Sequence, residues 1–171
     1  YGTFEILPKC DETATFIEIN PLKSLNSVPS TVAHEFMHAL QMSFAMGGCA
    51  DFRWLREATA TWAQDYCYPG DDYESLHILV RGLTLPEHFM NSPDRSLDEW
   101  IGDDSPYSYG AYLFFQYLSR GFSPAWIRYI WQNADTSDPV DAVDQGLQAA
   151  GSTDLEERWP QFARFLWNQE H

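Results

Sequence analysis

Apolar and polar positions divide the 171-residue chain into a short extended opening and a long helical remainder. Residues 13–20, Thr-Ala-Thr-Phe-Ile-Glu-Ile-Asn, are rich in β-branched side chains, alternate toward their end and stop at Pro21, which predicts a strand. Residues 4–7 predict a second, shorter one. A helix is expected to start near Pro29, a residue suited to a first helical turn, and to end before Gly47-Gly48. Its expected buried face is Val32, Phe36, Ala39, Leu40 and Phe44. Asp51 reads as the N-cap of a second helix over about 52–66, which Pro69-Gly70 ends. Trp54, Ala58, Thr61 and Trp62 recur in it at helical spacing and should pack it on the first.

The stretch 69–106 is rich in Pro, Gly, Asp and Ser, with a helical turn expected around 74–81. Long irregular segments usually carry function or act as lids. Its two histidines, His77 and His88, read as surface or packing residues. Helical signals then return. Ser105-Pro106 should cap a helix to Gly121, and Ser123-Pro124 another to about Ala134. Val140, Val143 and Leu147 mark a third over 138–150, ending at Gly151. The last begins near Ser152, with Glu156 boxing the cap, and Pro160 should kink or split it. The aromatic stripes of these helices (Tyr112, Phe115, Trp126, Phe162, Phe165 among them) read as core.

Composition narrows the class. A hydrophobic share of 44 % and an aromatic share of 16 % are those of a folded domain. The net charge of −15 repels nucleic acid and anionic membrane alike. No run of 18 apolar residues could span a bilayer. The opening Tyr1-Gly2-Thr3-Phe4 has no Met, so the chain reads as a fragment or mature form lacking a leader, pro-segment or flanking domains, and as extracellular or secreted. Three cysteines, Cys10, Cys49 and Cys67, show no CxxC spacing. Cys49 and Cys67 flank the second helix, whose length argues against a bridge between them.

The chemistry concentrates at His34-Glu35-Phe36-Met37-His38, an HExxH pattern inside the first helix. Histidines four apart lie one turn apart on one face, where both rings can bind a single Zn²⁺. Glu35 sits beside them, placed to take a proton from a metal-bound water. Such a motif arises by chance in roughly one chain of this size in a hundred. It gains weight from Glu57, which follows His38 after 18 intervening residues. Two histidines and a glutamate are a recurring hydrolytic zinc set that leaves one position to water. Asp65, two turns past Glu57, is a candidate hydrogen-bond partner for a ligand histidine.

HExxH, 18 residues and a Glu resemble the gluzincin metallopeptidases, which include thermolysin-like and M1 aminopeptidase-like enzymes. The resemblance covers roughly residues 13–120. It implies one zinc per chain held by His34, His38 and Glu57, Glu35 as general base, and the strand over 15–19 as an edge for the substrate backbone. Residues 106–118 look like the M1 element in which Pro-Tyr-x-x-Gly opens a helix whose tyrosine stabilises the oxyanion. That implies Tyr107, with Tyr109 as close competitor. The Gly-x-Met-Glu-Asn segment that M1 enzymes use to hold a free amino group is absent upstream of His34, which points to an endopeptidase. A metzincin would need Gly at position 41 and His at 44, where this chain has Gln41 and Phe44.

The expected fold is a single mostly helical α+β domain spanning 1–171. A small N-terminal β-sheet packs on the HExxH helix (1–48), followed by the Glu helix, a loop region and a C-terminal helical subdomain (49–171). The expected partner is a peptide or protein substrate. The rival reading is a non-catalytic binding module that keeps zinc as a structural staple. The presence of Glu35 speaks against it, because structural zinc usually has four protein ligands. A zinc hydrolase of non-peptide amides is a third.

Overall fold

The computed structural model describes residues 17–18, 28–48, 51–70, 79–100, 106–136 and 138–168, of which 67 % are helical. The eight helices among them are α1 (Val28–Gln41), α2 (Arg53–Cys67), α3 (Leu85–Met90), α4 (Pro106–Gly110), α5 (Tyr112–Gly121), α6 (Ala125–Gln132), α7 (Pro139–Gly151) and α8 (Leu155–Asn168). The expected N-terminal sheet is not seen among the described residues. Segments 4–7 and 13–20 lie outside them except for Ile17 and Glu18, which carry no strand.

Small side chains put α2 at the centre. Ala58, Thr59, Ala60 and Thr61 are all fully buried. They let α1, α4 and α5 approach α2 closely on several sides. Trp54 and Leu55, also fully buried, fill the space at its N-terminal end, Trp54 against Phe115 of α5. The helix does not use the expected Asp51 cap. Its N-cap is Phe52, without a side-chain hydrogen bond, a fully buried ring packed on Trp131 of α6. Hydrophobic anchoring replaces capping there. Cys67, at the exposed end of α2, is a free thiol.

The face of α1 is the main correction. Val32, Phe36 and Leu40, expected in the core, are 39 %, 54 % and 45 % exposed. Ala39 and Phe44 are half-buried. The inward residues are Ser30, Thr31, Met37, His38 and Gln41. The inward side is thus largely polar, and its His38 and Gln41 are hydrogen-bonded, Gln41 to α2, as burial requires. The helix also ends at Gln41, with turns rather than helix up to Gly47.

The segment expected to be irregular contains a hairpin of β1 (Leu79–Val80) and β2 (Leu83–Thr84). Arg81 and Gly82, with φ of 52° and 83°, form its two-residue turn, and two successive positive φ values suit the right-handed twist of the strands. Of the helical turn expected around 74–81, residues 79–81 belong to this hairpin instead, while 74–78 lie outside the described residues, as does His77. Thr84 then caps α3 in a capping box with Glu87. His88 is half-buried, its Nε2 2.8 Å from the Val80 carbonyl, consistent with a packing role.

The helix expected over 106–121 is two, α4 and α5, offset at Ala111. A Cβ on Gly110 would run into the Leu85 carbonyl oxygen, so only glycine lets α3 and α4 pack this closely. In α7, Gly146 similarly lies against the Ile130 backbone of α6. The last helix runs through Pro160 instead of splitting. Its cap is Asp154, which accepts from the Glu157 amide, and Thr153 bonds the Glu157 carboxylate, so the expected Ser152 and Glu156 pair is shifted along the chain. No helix among the described residues is long and apolar enough to cross a membrane.

Candidate metal centre

The α1–α2 contact brings His34, His38 and Glu57 together. The two Nε2 atoms are 3.1 Å apart, and Glu57 Oε2 lies 3.3 Å from His34 Nε2 and 3.5 Å from His38 Nε2. The imidazoles meet edge to face, with centroids 4.7 Å apart. His38 is buried, while the side chains of His34 and Glu57 are 13 % and 19 % exposed, so the cluster is reachable from their side. Glu35, one position on from His34, is half-buried and close enough to act on it electrostatically.

Hydrogen bonds behind the rings decide what these atoms can do. His34 Nδ1 is 3.0 Å from Gln64 Oε1, and His38 Nδ1 is 2.9 Å from Gln41 Oε1. An amide oxygen only accepts, so with both amides turned this way each Nδ1 carries the hydrogen and each neutral ring presents an Nε2 lone pair. Two lone pairs and a carboxylate oxygen then face one another. That arrangement is repulsive unless a proton or a cation sits among them.

Protonation behaves accordingly. Burial alone would push His34 down, but its hydrogen bond to Glu57 and the charges of Glu57 and Glu35 outweigh that and raise its pKa above the ordinary value. Burial would raise Glu57, yet hydrogen bonds from His34 and His38 and their charge hold it well below the usual carboxylate range. The residues also fit a metal. Zinc–ligand bonds of about 2.0–2.1 Å at tetrahedral angles place neighbouring donor atoms roughly 3.3–3.4 Å apart, close to the observed spacings.

The two tyrosines of α4 part ways. The Tyr109 ring stacks on His34, centroids 6.2 Å apart and planes 10° apart. Tyr107 is buried on Phe89, and its hydroxyl donates to the carbonyls of Ser96 and Arg95 at 3.0 and 3.2 Å. Burial and the nearby Glu99 push its phenol up to about 12, against the opposing charge of Arg95. Its hydroxyl is committed to the 95–96 loop.

Asp65 does not reach a ligand histidine. It accepts from Gln116 at 2.9 Å and pairs with Arg120 at 3.4 Å. Its neighbour Gln64 takes the role, and the spacing explains why. Seven residues fall about 20° short of two helical turns, whereas eight overshoot by about 80°, so Gln64 and not Asp65 shares Glu57's face. Gln41, three residues past His38, was readable the same way. Both were passed over because a neutral amide carries no charge signature.

No protein-family model matches this chain, and no significant match was found among curated proteins or solved structures.

Proposed function

We propose that the chain is a zinc-dependent hydrolase of peptide bonds, resembling a compact gluzincin endopeptidase, with one zinc held by His34, His38 and Glu57. The observation that carries this reading is the convergence of two imidazole nitrogens and a carboxylate oxygen at 3.1–3.5 Å, from two helices, beside a glutamate and a tyrosine. Zinc in such a set lowers the pKa of a bound water and polarises a carbonyl. Glu35 takes the proton of the attacking water and later delivers it to the leaving amine. Tyr109, stacked on His34, donates to the carbonyl oxygen as negative charge develops on it. Tyr107 would need to abandon two carbonyl acceptors to do so.

Elemental analysis of wild type beside Glu57→Ala tests the metal. About one zinc per chain, lost or much weakened in the variant, is the expected result. No zinc in wild type under non-chelating conditions overturns the reading. A peptide-library cleavage assay of the zinc-loaded protein then tests the reaction, and zinc without cleavage would make the chain a binding module.

A further inference from the structure

We infer that Gln41 is a positioning residue that locks His38 into the Nδ1–H tautomer, and that the Arg56 carbonyl and the Thr59 hydroxyl of α2 hold Gln41 in the required orientation. The inference deepens the zinc reading and rests on it for its consequence. The tautomer itself needs no metal.

The His38 tautomer depends on which way the Gln41 amide faces. Its two ends are nearly the same shape, so only partners decide. Gln41 is fully buried, and its Nε2 donates to the Arg56 carbonyl at 3.0 Å and to Thr59 Oγ1 at 2.9 Å. A backbone carbonyl can only accept, which fixes that end as the NH₂. Oε1 therefore faces His38 Nδ1, and His38 must carry its hydrogen there.

Thr59 completes the latch. Its hydroxyl donates to the Leu55 carbonyl at 2.8 Å, which leaves the oxygen to accept from Gln41 and from Trp131 Nε1 at 3.3 Å. Hydrogen bonds thus run from His38 to Gln41 to Thr59, and Trp131 adds its own donor to the same oxygen. Glutamate at position 41 would keep an acceptor for His38 but lose both hydrogens that anchor the other end. The amide is the group that satisfies both sides. With the opposite tautomer, His38 would present an N–H to Glu57 and His34, and that nitrogen could not ligate.

The test uses the metal-free protein at a pH where the imidazoles are neutral. Long-range ¹H–¹⁵N correlations report which His38 nitrogen is protonated in wild type, Gln41→Leu, Thr59→Val and Thr59→Ser. Zinc affinity is read in parallel by competition with a chromophoric chelator. Wild type and Thr59→Ser are expected to show Nδ1–H alone, whereas Gln41→Leu shows a mixture and binds zinc roughly 10–100-fold more weakly. Thr59→Val, which keeps the side chain's shape and leaves the Arg56 carbonyl in place, should shift both readouts in the same direction by less. Pure Nδ1–H in Gln41→Leu overturns the proposal. Should that variant fail to fold, pure Nδ1–H in Gln41→Met, which keeps the side chain's length but offers no amide oxygen, overturns it instead. Wild type that binds no zinc sinks the metal reading, while the tautomer comparison still decides the role of Gln41.

Discussion

Two tyrosines two positions apart on one helix cannot both face the same neighbour, since two residues turn a helix by about 200°. With Tyr109 on His34 and Tyr107 on Phe89 and the 95–96 loop, their substitutions should separate cleanly. Tyr109→Phe is expected to lower kcat on a peptide substrate by roughly 10²–10³ while zinc content stays at wild-type level. Tyr107→Phe should leave kcat within a few-fold and cost about 1–2 kcal/mol in thermal unfolding, because the Arg95 and Ser96 carbonyls lose their donor. The opposite pattern would return the oxyanion role to Tyr107. At Glu35, replacement by Gln should keep zinc and cut peptide cleavage by about 10²–10⁴, and retained cleavage would remove it from the proton transfer. The cluster of His34, His38 and Glu57 was legible because spacing on a helix is a local property and the second helix supplied one suitable carboxylate. The pairing of Gln64 with His34 and the choice of Tyr109 over Tyr107 were not, since they depend on how α2 and α4 lie against α1.

At the level of elements, α1 shows where pattern reading goes astray. A hydrophobic stripe is taken as the buried face because burying polar groups is costly. Here the polar face is buried without that cost, since His38, Gln41 and Thr59 satisfy one another and the apolar stripe of Val32, Phe36 and Leu40 is turned away from α2. The hairpin at 79–84 was missed for a different reason: each strand has only two residues, too few to show a period. The capping box at Thr84 and Glu87 tests how far such short elements stabilise the fold. Thr84→Ala should cost about 1 kcal/mol. Glu87 accepts hydrogen bonds from the Thr84 amide and hydroxyl, which lower its pKa below 4.5. A lowered folded pKa means that its contribution is fully present above 4.5 and is lost as pH falls through the folded value. The difference in melting temperature between wild type and Glu87→Ala should therefore be clear at neutral pH and vanish in stronger acid. A difference that persists there would show that the carboxylate's charge is not what holds the cap.

Across the whole molecule, the order of helices was readable from caps and periodicity, and seven of the eight described helices fall in stretches read as helical. How they pack was not readable, because it depends on close approaches such as Gly110 to Leu85 and Gly146 to Ile130, which a sequence shows only as isolated glycines. The proposed centre has a consequence at this scale, because it joins α1 to α2 across the 42–52 connection and α2 is the hub for α4 and α5. Zinc that binds the folded arrangement and not the unfolded chain stabilises it by about 2.7 kcal/mol at a hundredfold excess over Kd. For a domain of this size that corresponds to roughly 5–10 °C in melting temperature. Stripping the metal with a chelator should lower the midpoint by that amount, restoring zinc should recover it, and Glu57→Ala should respond to neither. Hydrogen exchange locates the effect. In the metal-free protein the amides of α1 should exchange faster, since the ligand bonds that would tie it to α2 through Glu57 are lost. Those of α6 and α7, packed on each other through Gly146 and Ile130, should be unchanged. Equal acceleration everywhere would mean that the metal stabilises the fold as one cooperative unit, and an unchanged midpoint at saturating zinc would remove the metal from the structure altogether.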